Sequence, residues 1–387
     1  MQAVVLAAGK GERLWPLTEN RPKPMIPVAN RPLLEHIVDA LVDAGVDEII
    51  LVVGSNRERV QRHFENGDAW NVDIDYVVQD PQLGTGHALL QAERQVGESF
   101  VALNGDRIID ASLVEDVWAR HEETGDPAMG VTQVEQPSQY GVVELDGETV
   151  IDIEEQPIPE LAASKFINAG VYAFDPSIFA AIRRTESYGE QALTDTLSEE
   201  LDDQQIRAVR YRGRWLDVSE PWDLLAVNSA LIDGRSPQHR ESATIADSAV
   251  VTDNTVIGDG VVVHPNATIL GGVTLGDNVS VGAGAVVKNA ILLSDCTIES
   301  GAIMTDCIVG ANASLGPNTT VEGGTADVVL DDTVYRDVRF GGLTGDNVDV
   351  GANVTVAPGA IVGNDATVDS GTLVAGRIDD GSHVTRG

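Results

Sequence analysis

The turn Ala7-Ala8-Gly9-Lys10-Gly11 and the cations Arg13 and Lys23 gather phosphate-binding chemistry near the start of the chain. An apolar run over residues 3–6 enters this turn as a buried strand would. Small residues let successive backbone N–H groups close on an anion. Arg13 and Lys23 then add fixed positive charge in a chain whose only lysines are Lys10, Lys23, Lys165 and Lys288. A tight turn with two cations suits two phosphate-bearing ligands that share one site. No Gly-Lys-Ser/Thr string is present, so this is not a Walker loop. Arg13 also stands where a dinucleotide fingerprint needs its third glycine.

These residues need a scaffold, and the first half predicts one. Residues 3–6, 48–53, 74–78 and 100–103 read as buried strands. Residues 33–44 and 112–124 read as amphipathic helices. Such alternation predicts an α/β domain with a mostly parallel, helix-flanked sheet, Rossmann-like in plan. Ligands bind such sheets at the carboxyl ends of the strands. The opening turn and Asn104-Gly105-Asp106 each follow a predicted strand, which places both on one edge.

The second half repeats. Aliphatic residues recur every six positions at Ile245, Val251, Ile257, Val263, Ile269, Leu275, Val281, Val287 and Leu293. After a slip the period resumes at Val309, Leu315 and Val321, and again at Val350, Val356, Val362, Val368 and Val374. Six residues match neither a helix nor a simple strand. They fit a coil of short strands with Gly or Asn bending each corner. The expected boundaries are 1–232 for the α/β domain and 238–387 for the coil, joined through Asp233-Gly234-Arg235-Ser236-Pro237. Residues 323–345 break the period and are expected to loop out.

The whole opening string, Leu6-Ala7-Ala8-Gly9-Lys10-Gly11-Glu12-Arg13 through Pro16 and Thr18 to Pro22-Lys23-Pro24, resembles the sugar-1-phosphate nucleotidyltransferase signature. That signature reads L-A-A-G-x-G-x-R-x-x-P-x-T followed by P-K-P. The resemblance assigns Leu6, Ala8, Gly9 and Gly11 to the nucleotide, and Arg13 and Lys23 to catalysis. Gln79-Asp80-Pro81-Gln82-Leu83-Gly84-Thr85-Gly86-His87-Ala88 resembles the Q-x-x-x-L-G-T-G-H-A segment of uridylyl-type members. It implies that Gln79 bonds a pyrimidine, as an amide can, with Gly84 and Thr85 against the nucleotide. Asn104-Gly105-Asp106 resembles the family's G-D motif, and Trp215-Leu216-Asp217-Val218-Ser219-Glu220-Pro221-Trp222-Asp223 its W-x-D-x-G-x-P-x-D motif. By that likeness Asp106 and Asp217 hold Mg²⁺. Three further matches, at Tyr140-Gly141, Ile153-Glu154-Glu155-Gln156-Pro157 and Ile167-Asn168-Ala169-Gly170, assign Gly141, Glu155 and Asn168 to the sugar. Gln156 stands where many relatives have Lys, which leaves the sugar open.

The coil resembles the hexapeptide-repeat left-handed parallel β-helix, which implies a homo-oligomer, a trimer first. Bifunctional relatives on this two-domain plan, archaeal ones especially, also acetylate glucosamine-1-phosphate from acetyl-CoA. Their acetyl-transfer segment, H-x-S-Y-x-G-D, corresponds here to residues 298–306, where Ser300 replaces the general-base His. A silent regulatory subunit is the remaining alternative, and the intact Arg13, Lys23, Asp106 and Asp217 weigh against it. UTP and dTTP are not separated by these residues.

The formal net charge is -36, from 61 acidic against 25 basic residues spread along the chain. Such a surface suits high salt, where self-repulsion is screened, and makes nucleic acid and anionic membranes poor partners. No signal peptide or membrane span is read, and two cysteines make neither a disulfide framework nor a metal site. A reducing cytoplasm is the expected compartment.

Overall fold

The computed structural model describes residues 1–387 apart from Ser55, Glu160, Leu161, Ser187, Tyr188, Arg235, Pro237, Asp331, Asp332 and Gly387. Arg235 and Pro237 of the expected joint, and Asp331 and Asp332 of the expected excursion, lie outside the described residues. The chain divides into two compact units, and each draws on more than one stretch of sequence.

The first unit comprises Met1–Lys10, Pro22–Met25 and Leu33–Asp217. Its sheet has nine strands, in the order Asp73–Val78, Glu48–Val53, Gln2–Ala7, Phe100–Asn104, Phe166–Phe174, Ala128–Gln133, Ile206–Arg210, Thr149–Glu155 and Gly141–Asp146. The first four are parallel. Three of them, Gln2–Ala7, Glu48–Val53 and Phe100–Asn104, carry Val-, Ile- and Leu-rich runs buried on both faces, as inner parallel strands must be. Alternate residues of Gln2–Ala7 show this: Ala3, Val5 and Ala7 join one core, and Val4 and Leu6 the other. Asp73–Val78, at the sheet edge, exposes Asp73 and Asp75 and only half-buries Tyr76, Val77 and Val78, so it is not the fully buried strand expected. The first core packs under the helices Leu33–Asp43 and Ala111–Thr124, the second under Thr85–Gln91, Ser177–Arg184 and Leu193–Glu200. Beyond Phe100–Asn104 the strands pair antiparallel, save Ala128–Gln133 with Ile206–Arg210. Hairpins need no crossover helix, and Gly141–Asp146 and Thr149–Glu155 are joined by one tight turn.

The second unit comprises Gly11–Arg21, Ile26–Pro32 and Val218–Gly387. From Gln238 onward it is a β-helix of short parallel strands, in which Val262 pairs with Ser280 and Val263 with Val281. Corner bonds link residues 18 apart, as Asp259 N–H does to Asp277 Oδ1. One coil is therefore three hexapeptides. Asn254, Asn266, Asn278 and Asn312 take left-handed backbone at corners, a conformation Asn tolerates better than most residues. The slip is a shortened coil: corner bonds from Asn278 and Asn289 span 17 residues. It begins earlier than the period suggests. Leu292, not Leu293, fills the inward position and pairs with Leu275. The expected excursion is a hairpin, Thr325–Leu330 against Thr333–Arg339, after which Gly342–Thr344 rejoins the coil on Cys307–Val309.

Helix Pro221–Ile232 also belongs to this unit. Its fully buried Asn228 accepts from Ala29 N–H at 2.9 Å and from Thr274 Oγ1 at 2.7 Å, and donates to the Gly272 carbonyl at 3.2 Å. A buried amide so satisfied fixes one arrangement, because any slip strands several polar groups at once.

Candidate active site

Four charged side chains meet in the first unit, at the end of the Gln2–Ala7 strand. Leu6 is in register with Asn104, and the Gly105 N–H donates to the Leu6 carbonyl at 2.9 Å. A Cβ on Gly105 would stand 2.8 Å from the Ala7 Cβ, so only glycine lets this turn come so close. The turn delivers Asp106, whose Oδ2 accepts from Lys23 Nζ at 2.7 Å. The next residue, Arg107, begins a short strand in register with Asp217 and donates from Nε to Asp217 Oδ1 at 3.3 Å.

Arg107 is held on every side. Its guanidinium lies 5.2 Å from the Trp215 ring centroid and 5.8 Å from that of Tyr140, and Nη1 donates to the Asn168 carbonyl at 3.1 Å. Burial alone would lower its pKa, but Asp217 and Asp106 raise it further, so it is a permanent cation. Burial alone would raise the Asp106 carboxyl. The Lys23 ammonium and Arg107 guanidinium outweigh that and hold it below the usual carboxylate range.

The expected nucleotide residues of this unit form two linked loops. Gln79, 3% exposed, donates from Nε2 to the Gly84 carbonyl at 2.9 Å and lies 3.0 Å from His87 Nδ1. Gly84 has φ of 102°, and a Cβ there would strike the Gln191 backbone at 2.5 Å. Thr85 Oγ1 accepts from the Leu193 N–H at 2.9 Å. Gln82 reaches across to donate to the Ala8 carbonyl at 2.5 Å, tying this loop to the opening turn. Gly9 has open space where a Cβ would stand.

The expected sugar residues also converge. Gly141 is in register with Glu155, and a Cβ on it would lie 2.8 Å from Glu155 Oε2 and 3.7 Å from Asn168 Cβ. Burial raises the Glu155 pKa, against the lowering effect of Thr194 and Arg107. Asn168 already bonds within the protein, donating to Tyr172 Oη at 2.5 Å and accepting from the Gly170 N–H at 2.9 Å.

Gly11 and Arg13 belong to the second unit. Gly11 caps a short 3-10 turn with φ of 67°. Arg13 Nη1 donates to Glu220 Oε1 at 3.3 Å, and that oxygen also accepts from Tyr335 Oη at 3.1 Å. Glu220 and Asp223 form the capping box of the Pro221–Ile232 helix. Burial pushes the Asp223 carboxyl up to about 7.

Three residues escaped the sequence reading: Arg107, Gln82 and Glu220. Arg107 directly follows the motif Asp, and a cation beside a metal-type carboxylate was the available signal. Gln82 lies inside the quoted nucleotide segment, and Glu220 inside the tryptophan motif. Nothing local gave either its partner. In the coil, Ser300 and His264 are exposed, and His383 bonds Asp369 Oδ1 at 2.9 Å. Among the described residues no group of three or more His, Cys, Asp or Glu could hold a metal, and no helix is long and apolar enough to cross a membrane.

Residues 2–234 match the family described as Nucleotidyl transferase, and residues 251–379 the GMPPB C-terminal domain. The chain is 33% identical to the Bifunctional protein GlmU of Methanococcus vannielii, over 99% of this chain and 97% of that one. It is 30% identical to the Glucose-1-phosphate thymidylyltransferase of Streptomyces antibioticus, over 90% of this chain and 93% of that one. A solved UDP-glucose pyrophosphorylase, complexed with UDP-glucose, superposes with a TM-score of 0.56 at 25% identity, covering 60% of this chain and 99% of its own. The matched length, the signature turn and the charged cluster agree: the chain belongs to the sugar-1-phosphate nucleotidyltransferase family.

Proposed function

We propose that the protein moves UMP, or dTMP, from the nucleoside triphosphate to N-acetylglucosamine-1-phosphate or glucose-1-phosphate, with UTP the favoured donor. The observation that carries this reading is the Lys23–Asp106 and Arg107–Asp217 cluster at the end of the Gln2–Ala7 strand. A sugar-phosphate oxygen attacks the α-phosphorus. The bond from that phosphorus to the bridging oxygen breaks, and its electron pair leaves on pyrophosphate. The nucleophile is already an anion, so no protein base is required; positioning and charge neutralisation do the catalysis. Lys23 exchanges Asp106 for the sugar phosphate and holds it against the α-phosphate. Arg13, assigned by the signature, offsets charge on the departing pyrophosphate. Gln79, Gly84, Thr85 and the Leu6, Ala8, Gly9 and Gly11 backbone take the nucleotide, and Gly141, Glu155 and Asn168 the sugar.

Members of this family generally use a divalent metal. Asp106 and Asp217 fit one, Mg²⁺ in our reading: they are hard oxygen donors, and phosphate and water can complete the shell. When bound it would neutralise charge on the reacting phosphates. Arg107 holds Asp217 in place through its Nε bond and, after Lys23, helps keep the Asp106 carboxyl below the usual carboxylate range.

We read the β-helix as a trimerising module without acetyl transfer, since Ser300 offers no imidazole near neutral pH, and the acidic surface as an adaptation to a saline cytoplasm. A pyrophosphate-release assay over nucleotides and sugar phosphates, from tens of millimolar to molar KCl with Mg²⁺, tests the whole. The expected result is turnover with a pyrimidine nucleotide that rises with KCl, as the Debye length shrinks to ~3 Å near 1 M. Light scattering in molar KCl should give three times the 41.0 kDa chain mass. Purine-only turnover would reject the donor, salt-insensitive turnover the saline adaptation, and a monomer mass the trimer. In the same preparation, acetyl-CoA and glucosamine-1-phosphate should release no thiol above background; release that survives further purification would restore the bifunctional reading.

A further inference from the structure

We propose that the β-helix is part of the transferase machinery: it positions Arg13 by seating the Gly11–Arg21 segment on a ladder of buried corner residues centred on Asp346. The proposal rests on the role given to Arg13 above. Corner Asp and Asn side chains of a β-helix normally face water, and Asp277, Asp295, Asn312 and Asp365 do so here. Asp346 and Asn364 do not; each is only 4% exposed.

The Gly11–Arg21 segment lies on them. Arg21 Nη2 donates to Asp346 Oδ2 at 2.6 Å, and Asn20 Nδ2 reaches the same oxygen at 3.1 Å. Asn364 Nδ2 donates to the Pro16 carbonyl at 3.0 Å. On the following coil, Asp380 accepts from the Asn364 N–H at 2.6 Å and from Trp15 Nε1 at 3.4 Å. Arg377 stacks on Trp15, 3.7 Å from the ring centroid. Three successive corners thus hold the segment that carries Arg13.

The seat cannot follow the loop if the loop shifts. Asp346 Oδ1 accepts from the Ala311 N–H at 2.9 Å, and the Asp346 N–H donates to Asn364 Oδ1 at 2.7 Å. Both bonds belong to the stacked coils. A cation aimed at a transferring phosphate must be held to within about 0.5 Å, which side chains on rigid elements do better than free loops. Asp346 and Arg21 are positioning residues in this sense: they act through Arg13.

The test is the turnover of full-length variants. Asp346→Asn keeps the shape and the Ala311 bond and removes the charge paired with Arg21. It is expected to lower kcat for pyrophosphate release by about 10- to 100-fold, the scale of a misplaced catalytic group, with the KM for the sugar phosphate little changed. In an Arg13→Ala background the same change should cost no more than about twofold, because no guanidinium is left to misplace. Arg377→Gln, an exposed change, should show the same pattern at lower amplitude, and it carries the test if Asp346→Asn does not fold. Asp365→Asn, on an exposed corner, should leave kcat unaltered. Losses that multiply in the Arg13→Ala background, or full turnover in Arg377→Gln and in folded Asp346→Asn, overturn the proposal. Full turnover in Arg13→Ala alone overturns the role of Arg13 itself and this proposal with it, which separates the two failures.

Discussion

Lys23→Ala should lower turnover by ~10²-fold or more while the protein stays folded. Lys23 Nζ lies 2.7 Å from Asp106 Oδ2, so its charge is already at the turn where the phosphates are proposed to meet. Removing one such group from a transition state typically costs about 2.7–4 kcal/mol, or 10² to 10³ in rate. The fold should tolerate the loss. The Asp106 side chain is 35% exposed, so water can solvate the carboxylate once the ammonium is gone. A mostly exposed ion pair contributes little, about 0–1 kcal/mol, and a half-open one somewhat more. Lys23→Arg should recover the fold but only part of the rate, because a planar fork does not replace a compact point charge. Pyrophosphate-release kinetics read beside a thermal melt decide the matter. A folded Lys23→Ala protein working at near-wild-type speed would show that Lys23 is only the structural partner of Asp106.

Asp106→Asn and Asp217→Asn should each cut turnover by ~10²-fold and raise the Mg²⁺ concentration needed for half-maximal rate. The double variant should be little worse than the worse single if, as proposed, the two carboxylates hold one ion between them. Their structural costs should differ. Asp217 is 8% exposed and holds Arg107, itself 16% exposed. Breaking a buried ion pair costs up to about 3–5 kcal/mol, because the remaining charge is left without its partner. Asp217→Asn therefore lowers the melting temperature more than Asp106→Asn does. Rates compared per folded molecule, with metal titrations for each variant, test this. Multiplicative losses would mean that the two residues do separate work and share no ion.

The charged cluster was legible in the sequence where its parts are local. Lys23, Asp106 and Asp217 lie in short strings that matched the family's motifs, and the structure brings the three together in the first unit. The coil was legible because six-residue recurrence survives in the sequence even across a slip. The partners were not legible. Arg107 owes its position to Asp217, Trp215 and Tyr140, none of them near it along the chain. The antiparallel strands after residue 128 escaped because a hairpin needs only a turn, and turns such as Asp146-Gly147-Glu148 are common in loops of every kind. The assignment of Gly11–Arg21 to the second unit was invisible for a plainer reason. Its contacts with the coil corners span more than 300 residues, and no periodicity encodes a contact at that separation.

That separation bears on the order in which the protein is made. The ribosome delivers Gly11–Arg21 among the first residues, yet the Asn364 amide that bonds Pro16 follows 348 positions later. At about 5–20 residues per second, this is a wait of roughly 20–70 s. Through that interval the Asp346, Asn364 and Asp380 corners that hold the segment are still missing. A chain interrupted before its last coils would still contain every residue of the signature, but its Gly11–Arg21 stretch would lack the corners that hold it.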